Sequence, residues 1–499
     1  TILDPANADK IIYVSSSSGN DSNGLVYTLP TAAIDDPFHP SRSIQEFRTV
    51  EAAISTIENG EAVWVLLKRG DTFTAGVPPR SGKSLEKPFL YSSYGSSTEP
   101  PLLKTGAESG VSHCCRTLEN FWVVGLSFYA HTRDPENSEY VGDAGSRGIY
   151  LEAHKGHRLT NVLLEGNVIR YYKDNVIQSF TGTGVVKDIT LRRNMILDGY
   201  NNSEAENESI GLFVQNVDGF LLEENIFDHN GWLIPSKGTS GASDRSGGQA
   251  TKFSHSTYFV DTQNVIFRNN SFNRPSTMGT KWLATGTGSS ENITVSNNLF
   301  NDCEIGISMG TNYREGSYRY KNMNVSDNII VDQGLSNPTR RDLAWGIEID
   351  DWDGGSFSKN VLTSQKSPSK SGYGIGISGE TRDVTIADNI VYDLKDRRGI
   401  LVSHSGLYDN IQFNSNLFTY FTNFIRFVRL EKSDFQGLNF DKNTYTNAND
   451  IRNSFYIFDR DYQFNEWTQV LPDEQASTAL PDYPDPTRDL DRYINEVLG

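Results

Sequence analysis

Along most of this chain apolar and polar residues alternate in short runs, and each run closes on an asparagine. NVIFRNNSF at 264–272 shows the phrase most clearly. It returns as NVLLEGNVI (161–169), DITLRRNMI (188–196), GFLLEENIF (219–227), NITVSNNLF (292–300) and NMNVSDNII (322–330), and continues through SFSKNVL (356–362), DVTIADNIV (383–391), NIQFNSNLF (410–418) and GLNFDKNTY (437–445). Alternation with a period of two is the mark of a strand with one buried face. The closing residues are Asn167, Asn194, Asn225, Asn270, Asn298, Asn328, Asn360, Asn389, Asn416 and Asn443, spaced 27–32 residues apart except for one interval of 45. A recurrence of this length predicts a solenoid.

A second short apolar run precedes most copies: GIYL (148–151), GLFV (211–214), GISM (306–309), GIEI (346–349), GIGI (374–377) and GILV (399–402). Two or three short strands per repeat with an asparagine at one corner predict an all-β parallel β-helix of about ten coils. Stacked corner asparagines can hydrogen-bond from coil to coil, as amide ladders do. The strands carry Val, Ile and Phe without the leucine spacing of a leucine-rich repeat.

The ends differ from the repeat. IIYVSSSSGNDSNG (11–24) reads as a strand and a turn-rich loop. In SIQEFRTVEAAISTIENG (43–60), Phe47, Val50, Ala53, Ile54 and Ile57 fall at helical spacing and Asn59-Gly60 stops the run, so a helix is expected there, capping the open end of the solenoid. VWVLLKRGDTF (63–73) is read as the first coil strand. The order YVS-x-x-G-x-D-x-x-G, then T-V-x-x-A-I, then V-x-L-x-x-G-D-x-F resembles secreted right-handed β-helix polysaccharide lyases and related glycan-active enzymes, the pectate-lyase-like superfamily. The predicted organisation is an N-terminal cap and first strand (1–75), the β-helix with its loops (76–446) and a C-terminal extension (447–499). FNEWTQV and DPTRDLDRYINEVL in that extension read as short helices.

Composition narrows the functional classes. A net charge of -18, from 45 Lys and Arg against 63 Asp and Glu, argues against a nucleic-acid partner. Three cysteines, with Cys114 and Cys115 adjacent, cannot build a disulfide framework. No run of eighteen apolar residues exists to span a membrane. No signal-peptide pattern opens the sequence, and its start at Thr1 leads to the expectation of a processed form. With the resemblance and the abundance of Asn, Gly, Ser and Thr, a secreted or periplasmic monomer acting on a polysaccharide is expected, with no organic cofactor.

The resemblance implies that the strand before each asparagine-ending strand floors the substrate groove. If the Ile, Val and Met of the GIEI-like strands point inward, Gln215, Tyr258, Ser308, Glu348, Asp350 and Ser378 point outward. Lys281 joins them if Trp282 and Ala284 point inward. His255, Tyr258 and Lys281 then form one constellation, a coil apart, beside the Gly/Ser-rich loop 233–250, with Asp228 and His229 on the preceding turn. Breaking a uronate polymer by β-elimination needs a base for the C5 proton, an acid for the leaving oxygen and a cation against the carboxylate. In the family such roles fall to Lys, Tyr, His and Arg, which implies Lys281 as base and Tyr258 and His255 as its acid/base partners.

Glu348, Asp350, Asp351 and Asp353 form a second constellation in EIDDWD. Two outward carboxylates two residues apart suit the acid and base of a glycoside hydrolase. The pair resembles the E-x-D of β-helix carrageenases, and the four oxygen donors would suit Ca²⁺. Finally, residues 233–341 hold eleven Lys and Arg against eight Asp and Glu, a local +3 in a chain of -18. A cationic zone of this kind suits an anionic glycan. Arg245, Arg274, Arg314 and Arg319 are its expected substrate binders, with Tyr313, Gln215 and His229. The leading expectation is therefore β-elimination on a uronate-containing glycan. Hydrolysis of a charged or sulfated glycan through Glu348 and Asp350 is the alternative, and a non-catalytic glycan-binding spike the third.

Overall fold

The computed structural model describes residues 3–180, 182–202, 208–236, 247–285, 290–310, 320–363, 371–394, 398–420, 426–447, 454–471 and 473–479. The chain is a β-solenoid of about 12 turns. It exceeds the ten expected because coils also form before Asn167, from strands such as Phe89–Tyr94 and Leu118–Val124 that carry no corner asparagine. Two compact units are present, one built on Thr1–Asn298 with Pro338–Arg341, the other on the chain from Leu299 onward. Among the described residues no helix is long and apolar enough to cross a membrane.

In the first unit each regular coil contributes three parallel strands. The asparagine-ending strands, such as Asp218–Glu223 and Gln263–Arg268, form a first sheet with direct register, Phe220 against Val265 and Leu222 against Phe267. A three-residue strand follows each corner, as Ile226–Asp228 and Ser271–Asn273 do. The third sheet holds the strands that precede the next asparagine-ending strand, including Ile210–Gln215, His255–Val260 and Met278–Leu283. Alternation does what it predicts: in Gln263–Arg268, Val265 and Phe267 are fully buried while Ile266 faces out. Aromatic rings stack along the interior, with Phe259 on Trp282 at 4.3 Å and Phe227 on Phe272 at 5.0 Å.

The corner asparagines form a ladder. The backbone N–H and Nδ2 of Asn194 both donate to Asn225 Oδ1, at 2.9 and 3.0 Å, while Asn225 Nδ2 donates to Leu191 O. The same links join Asn167 to Asn194, Asn225 to Asn270, and Asn270 to Asn298. The residue before each ladder asparagine is left-handed, Arg193 at φ 55°, Glu224 at 57° and Asn269 at 59°. Left-handed backbone costs roughly 1–2 kcal/mol for a residue with a Cβ. The ladder's buried hydrogen bonds offset that cost and make the corner repeat.

The second unit repeats the plan. Asn328, Asn360, Asn389, Asn416 and Asn443 form their own ladder. Leu343–Asp350 and Ser371–Ser378 pair in the third sheet, Ile347 against Ile375 and Glu348 against Gly376.

The expected N-terminal helix is corrected. Only Val50–Ile54 is helical. Asp21 Oδ1 accepts the N–H groups of Arg48 and Thr49, and Phe47 bridges to Val14, so the chain stays extended up to the Thr49 cap. The longer helix is Phe464–Val470 near the C-terminus, opened by a capping box between Gln463 and Glu466. The strand expected over 63–73 is two: Val63–Lys68, preceded in the first sheet by the parallel strand Lys10–Val14, and Thr72–Phe73, which pairs with Leu102 and Leu103 in another sheet. The second expected C-terminal helix, 485–498, lies outside the described residues.

Candidate active site

The third sheet of the first unit aligns its outward positions into columns. Tyr150, Val176, Phe213, Tyr258 and Lys281 are successive partners in one column. Two residues along, Cys114, Glu152, Gln178, Gln215 and Val260 form the next. Trp282 and Ala284 are buried in the core, which turns Lys281 outward. Its Nζ lies 5.5 Å from the centre of the Tyr258 ring, and both residues are half-buried. Gln215 stands in the neighbouring column, beside Val260 rather than Tyr258.

His255 is brought to the same place but in a different role. It is 3% exposed, Nδ1 lies 2.6 Å from Thr277 Oγ1, and its ring meets the Tyr258 ring edge-on at 5.6 Å. Burial, then the charges of Lys281 and Arg341, holds the imidazole well below its ordinary pKa, so it is neutral. It packs behind the tyrosine. Two acidic neighbours escaped the pattern of the sequence. Desolvation first, and then Asp174, raises the carboxyl of Glu208, while Lys281 opposes the shift; Asp174 is itself raised by burial. Neither lies in an alternating run that marks it as special.

The turn residues are engaged with one another. Arg274 makes a two-pronged contact with Asp228, Nε to Oδ1 at 2.9 Å and Nη2 to Oδ2 at 2.6 Å. His229 Nδ1 lies 3.0 Å from Asp198 Oδ1 and its ring packs on Trp232. Arg245, Tyr313, Arg314 and Arg319 lie outside the described residues.

In the second unit Glu348 and Asp350 project from one strand into different surroundings. Glu348 Oε2 accepts from Ser308 Oγ at 2.7 Å, and Tyr373 OH lies 3.5 Å from Oε1. Gly376, opposite Glu348, makes room for the Tyr373 ring: a Cβ there would stand 2.3 Å from it. Tyr373 stacks on Trp345 at 5.0 Å, giving an aromatic wall beside the carboxylate.

Asp350 is closed in by two other glycines. A Cβ on Gly310 would sit 2.3 Å from Asp350 Cβ, and one on Gly379 2.0 Å from its Oδ1. Burial first, then the charges of Asp351 and Glu348, pushes its carboxyl up to about 7, with a hydrogen bond from Ser378 opposing. Two neighbouring carboxyls in such unlike surroundings are the arrangement from which an acid and a base are made.

The other two acids turn to other partners. Asp351 adopts a left-handed turn conformation and Oδ1 accepts the Glu380 N–H at 2.7 Å. Asp353 faces out from Trp352–Ser358 and is held by Arg382 through two 2.6 Å contacts. Of the four acids read as calcium donors, Asp353 is thus drawn to a guanidinium on another coil. Among the described residues, the only group of three ligating side chains within 4.8 Å is Cys114, Cys115 and His154.

No protein-family model matches the chain, and no curated protein matches it. Solved structures similar to it include the GH136 lacto-N-biosidase from Eubacterium ramulus, at 13% identity over 95% of this chain and 68% of that one, TM-score 0.36. A mannuronic acid specific polysaccharide family 6 lyase from human gut microbiota matches at 12% identity over 88% of this chain and 90% of its own, TM-score 0.42. PfbA, a surface adhesin of Streptococcus pneumoniae, matches at 11% identity over 80% and 85%, TM-score 0.33. At these scores the likenesses carry no chemistry over to this chain.

Proposed function

We propose that the chain cleaves a glycan by acid–base chemistry at Glu348 and Asp350. One observation carries the reading: two outward carboxyls on one strand are held in opposite ways, Glu348 hydrogen-bonded by Ser308 and half-buried Asp350 closed in by Gly310 and Gly379. Asp350, raised to about 7, keeps its proton in mildly acidic solution and gives it to the departing glycosidic oxygen. Glu348 accepts the proton of the attacking water or, if the reaction retains configuration, attacks the sugar carbon itself. Half-buried Trp345, backed by the buried Tyr373 ring stacked on it, is the aromatic face that would take a sugar ring. The N-terminal resemblance to glycan-active β-helix proteins supplies the substrate class, and the basic stretch 233–341 favours an anionic polymer.

The test is a screen of neutral, uronate and sulfated polysaccharides that follows reducing ends and unsaturated-uronate absorbance together. Reducing ends rising without absorbance, and lost in Glu348→Gln, is the expected result. Cleavage that persists at the wild-type rate in both Glu348→Gln and Asp350→Asn would overturn the assignment.

The Lys281–Tyr258 contact favours a second reading, β-elimination on a uronate polymer. There Lys281 removes the C5 proton, Tyr258 protonates the leaving oxygen, and buried His255 positions the tyrosine ring. Absorbance rising with the reducing ends, and its disappearance in Lys281→Ala with the fold intact, is the outcome that would select it.

A further inference from the structure

A separate cluster lies in the first unit, where Val111–Cys114 runs beside Arg147–Glu152 with Cys114 opposite Glu152. Cys114 and Cys115 are joined in a disulfide between adjacent residues. The next coil brings His154 to them, and one ligating atom from each of the three lies within 4.8 Å of the others. Beneath them Glu152, buried, is the hub of a polar network. Its carboxylate contacts His154 Nε2, accepts from Gln178 Nε2, accepts from Tyr150 OH at 3.0 Å, and lies 3.9 Å from Cys114 Sγ. Cys115 is exposed and His154 half-exposed, so the cluster opens to solvent.

We propose that, once the Cys114–Cys115 bond is reduced, this cluster binds a thiophilic divalent cation of the zinc class through Cys114, Cys115 and His154. The chemistry of the donors sets the class: two thiolates and an imidazole suit Zn²⁺ and disfavour Ca²⁺ or Mg²⁺, which take oxygen ligands. Glu152 supplies the outer contact that orients a metal-bound imidazole. With Nε2 against Glu152, Nδ1 is the nitrogen able to take the cation while that contact is kept. Three protein ligands leave a fourth position for water.

The step balances. A dithiol or phosphine reductant supplies two electrons, and two protons from water complete the two thiols as the S–S bond breaks. Cation binding then releases both thiol protons as the two sulfur–metal bonds form. The oxidised pair has no thiolates to offer, so the disulfide is an off-state for the metal. This site is independent of the glycan reading.

The test uses the full chain, reduced with a phosphine under argon and titrated with Co²⁺ and then with Zn²⁺. We expect thiolate-to-cobalt charge-transfer absorbance in the near ultraviolet, bleached by one equivalent of Zn²⁺ and absent from the unreduced protein. Cys115→Ser and His154→Ala should each weaken Zn²⁺ at least tenfold, and Glu152→Gln by about tenfold. Absorbance missing from the reduced chain, or equal in the oxidised one, would overturn the proposal. If Cys115→Ser fails to fold, as judged by circular dichroism, His154→Ala decides: its side chain is 43% exposed, and unchanged Zn²⁺ affinity there also overturns the site.

Discussion

Ser308 Oγ donates a 2.7 Å hydrogen bond to Glu348 Oε2, so a hydroxyl on one coil holds the carboxylate directly opposite it on the next. Glu348→Gln keeps the shape and removes the charge, and is expected to lower kcat by about 10²–10⁴. Ser308→Ala should cost less, on the order of tenfold, because the carboxylate remains and loses only its orientation. Steady-state kinetics on the glycan found by screening would check both, and a larger loss in Ser308→Ala than in Glu348→Gln would contradict this order.

Asp350 gives the pH dependence a sign. Its folded carboxyl titrates at about 7, against the ordinary 3.8. Below about pH 4 both folded and unfolded forms are protonated, and the full stability is present. As pH rises toward 7 the unfolded form ionises first, so stability falls, and the loss is complete above the folded pKa. Asp350→Asn should match the wild type near pH 4 and exceed it at pH 8, by on the order of 2 kcal/mol in chemical denaturation. Wild-type kcat should fall above about pH 7 as the general acid loses its proton.

Gly376 is where backbone space serves the site. Its missing Cβ admits the Tyr373 ring beside Glu348. Gly376→Ala would push the ring away, at roughly 1–3 kcal/mol of stability for overpacking. Tyr373→Phe separates the effects: it keeps the ring and removes only the hydroxyl, so it should hold stability to within about 1 kcal/mol while still altering the pH profile. Thermal denaturation of the two variants distinguishes them.

The ladder predicts the largest loss of stability. Asn225→Ala orphans the Asn194 N–H and the Leu191 carbonyl, both deep inside the corner. Each unsatisfied buried group costs about 1–3 kcal/mol, so a loss of roughly 2–6 kcal/mol is expected in urea denaturation. Val185→Ala, at an exposed position on a strand of the same sheet, is the control and should change little.

Much of the fold is legible in the sequence. Period-two alternation sorted Val265 and Phe267 inward and Ile266 outward, and the recurring asparagine marked a corner because only a side chain with both donor and acceptor can link coil to coil and still satisfy the backbone. The outward turn of Lys281 followed from the buried Trp282. These are local or periodic properties, and the sequence states them directly.

What tertiary structure decided depends on residues brought from other coils. The helix expected over 43–60 shrank to Val50–Ile54 because Asp21 and Val14 claim the backbone before it. His255, an acid/base candidate by type, became a neutral packing residue because Thr277 and the walls of its coil exclude water. Asp350 owes its raised pKa first to burial and then to the charges of Asp351 and Glu348, and the close approach of Gly310 and Gly379, 40 and 29 residues away in the chain, is something only the stacked coils bring about. Cys114 and Cys115 met His154 only because one coil of the solenoid separates them. Periodicity determines which face a side chain takes; its charge and partners depend on dielectric and distance, and only the stacked coils set those.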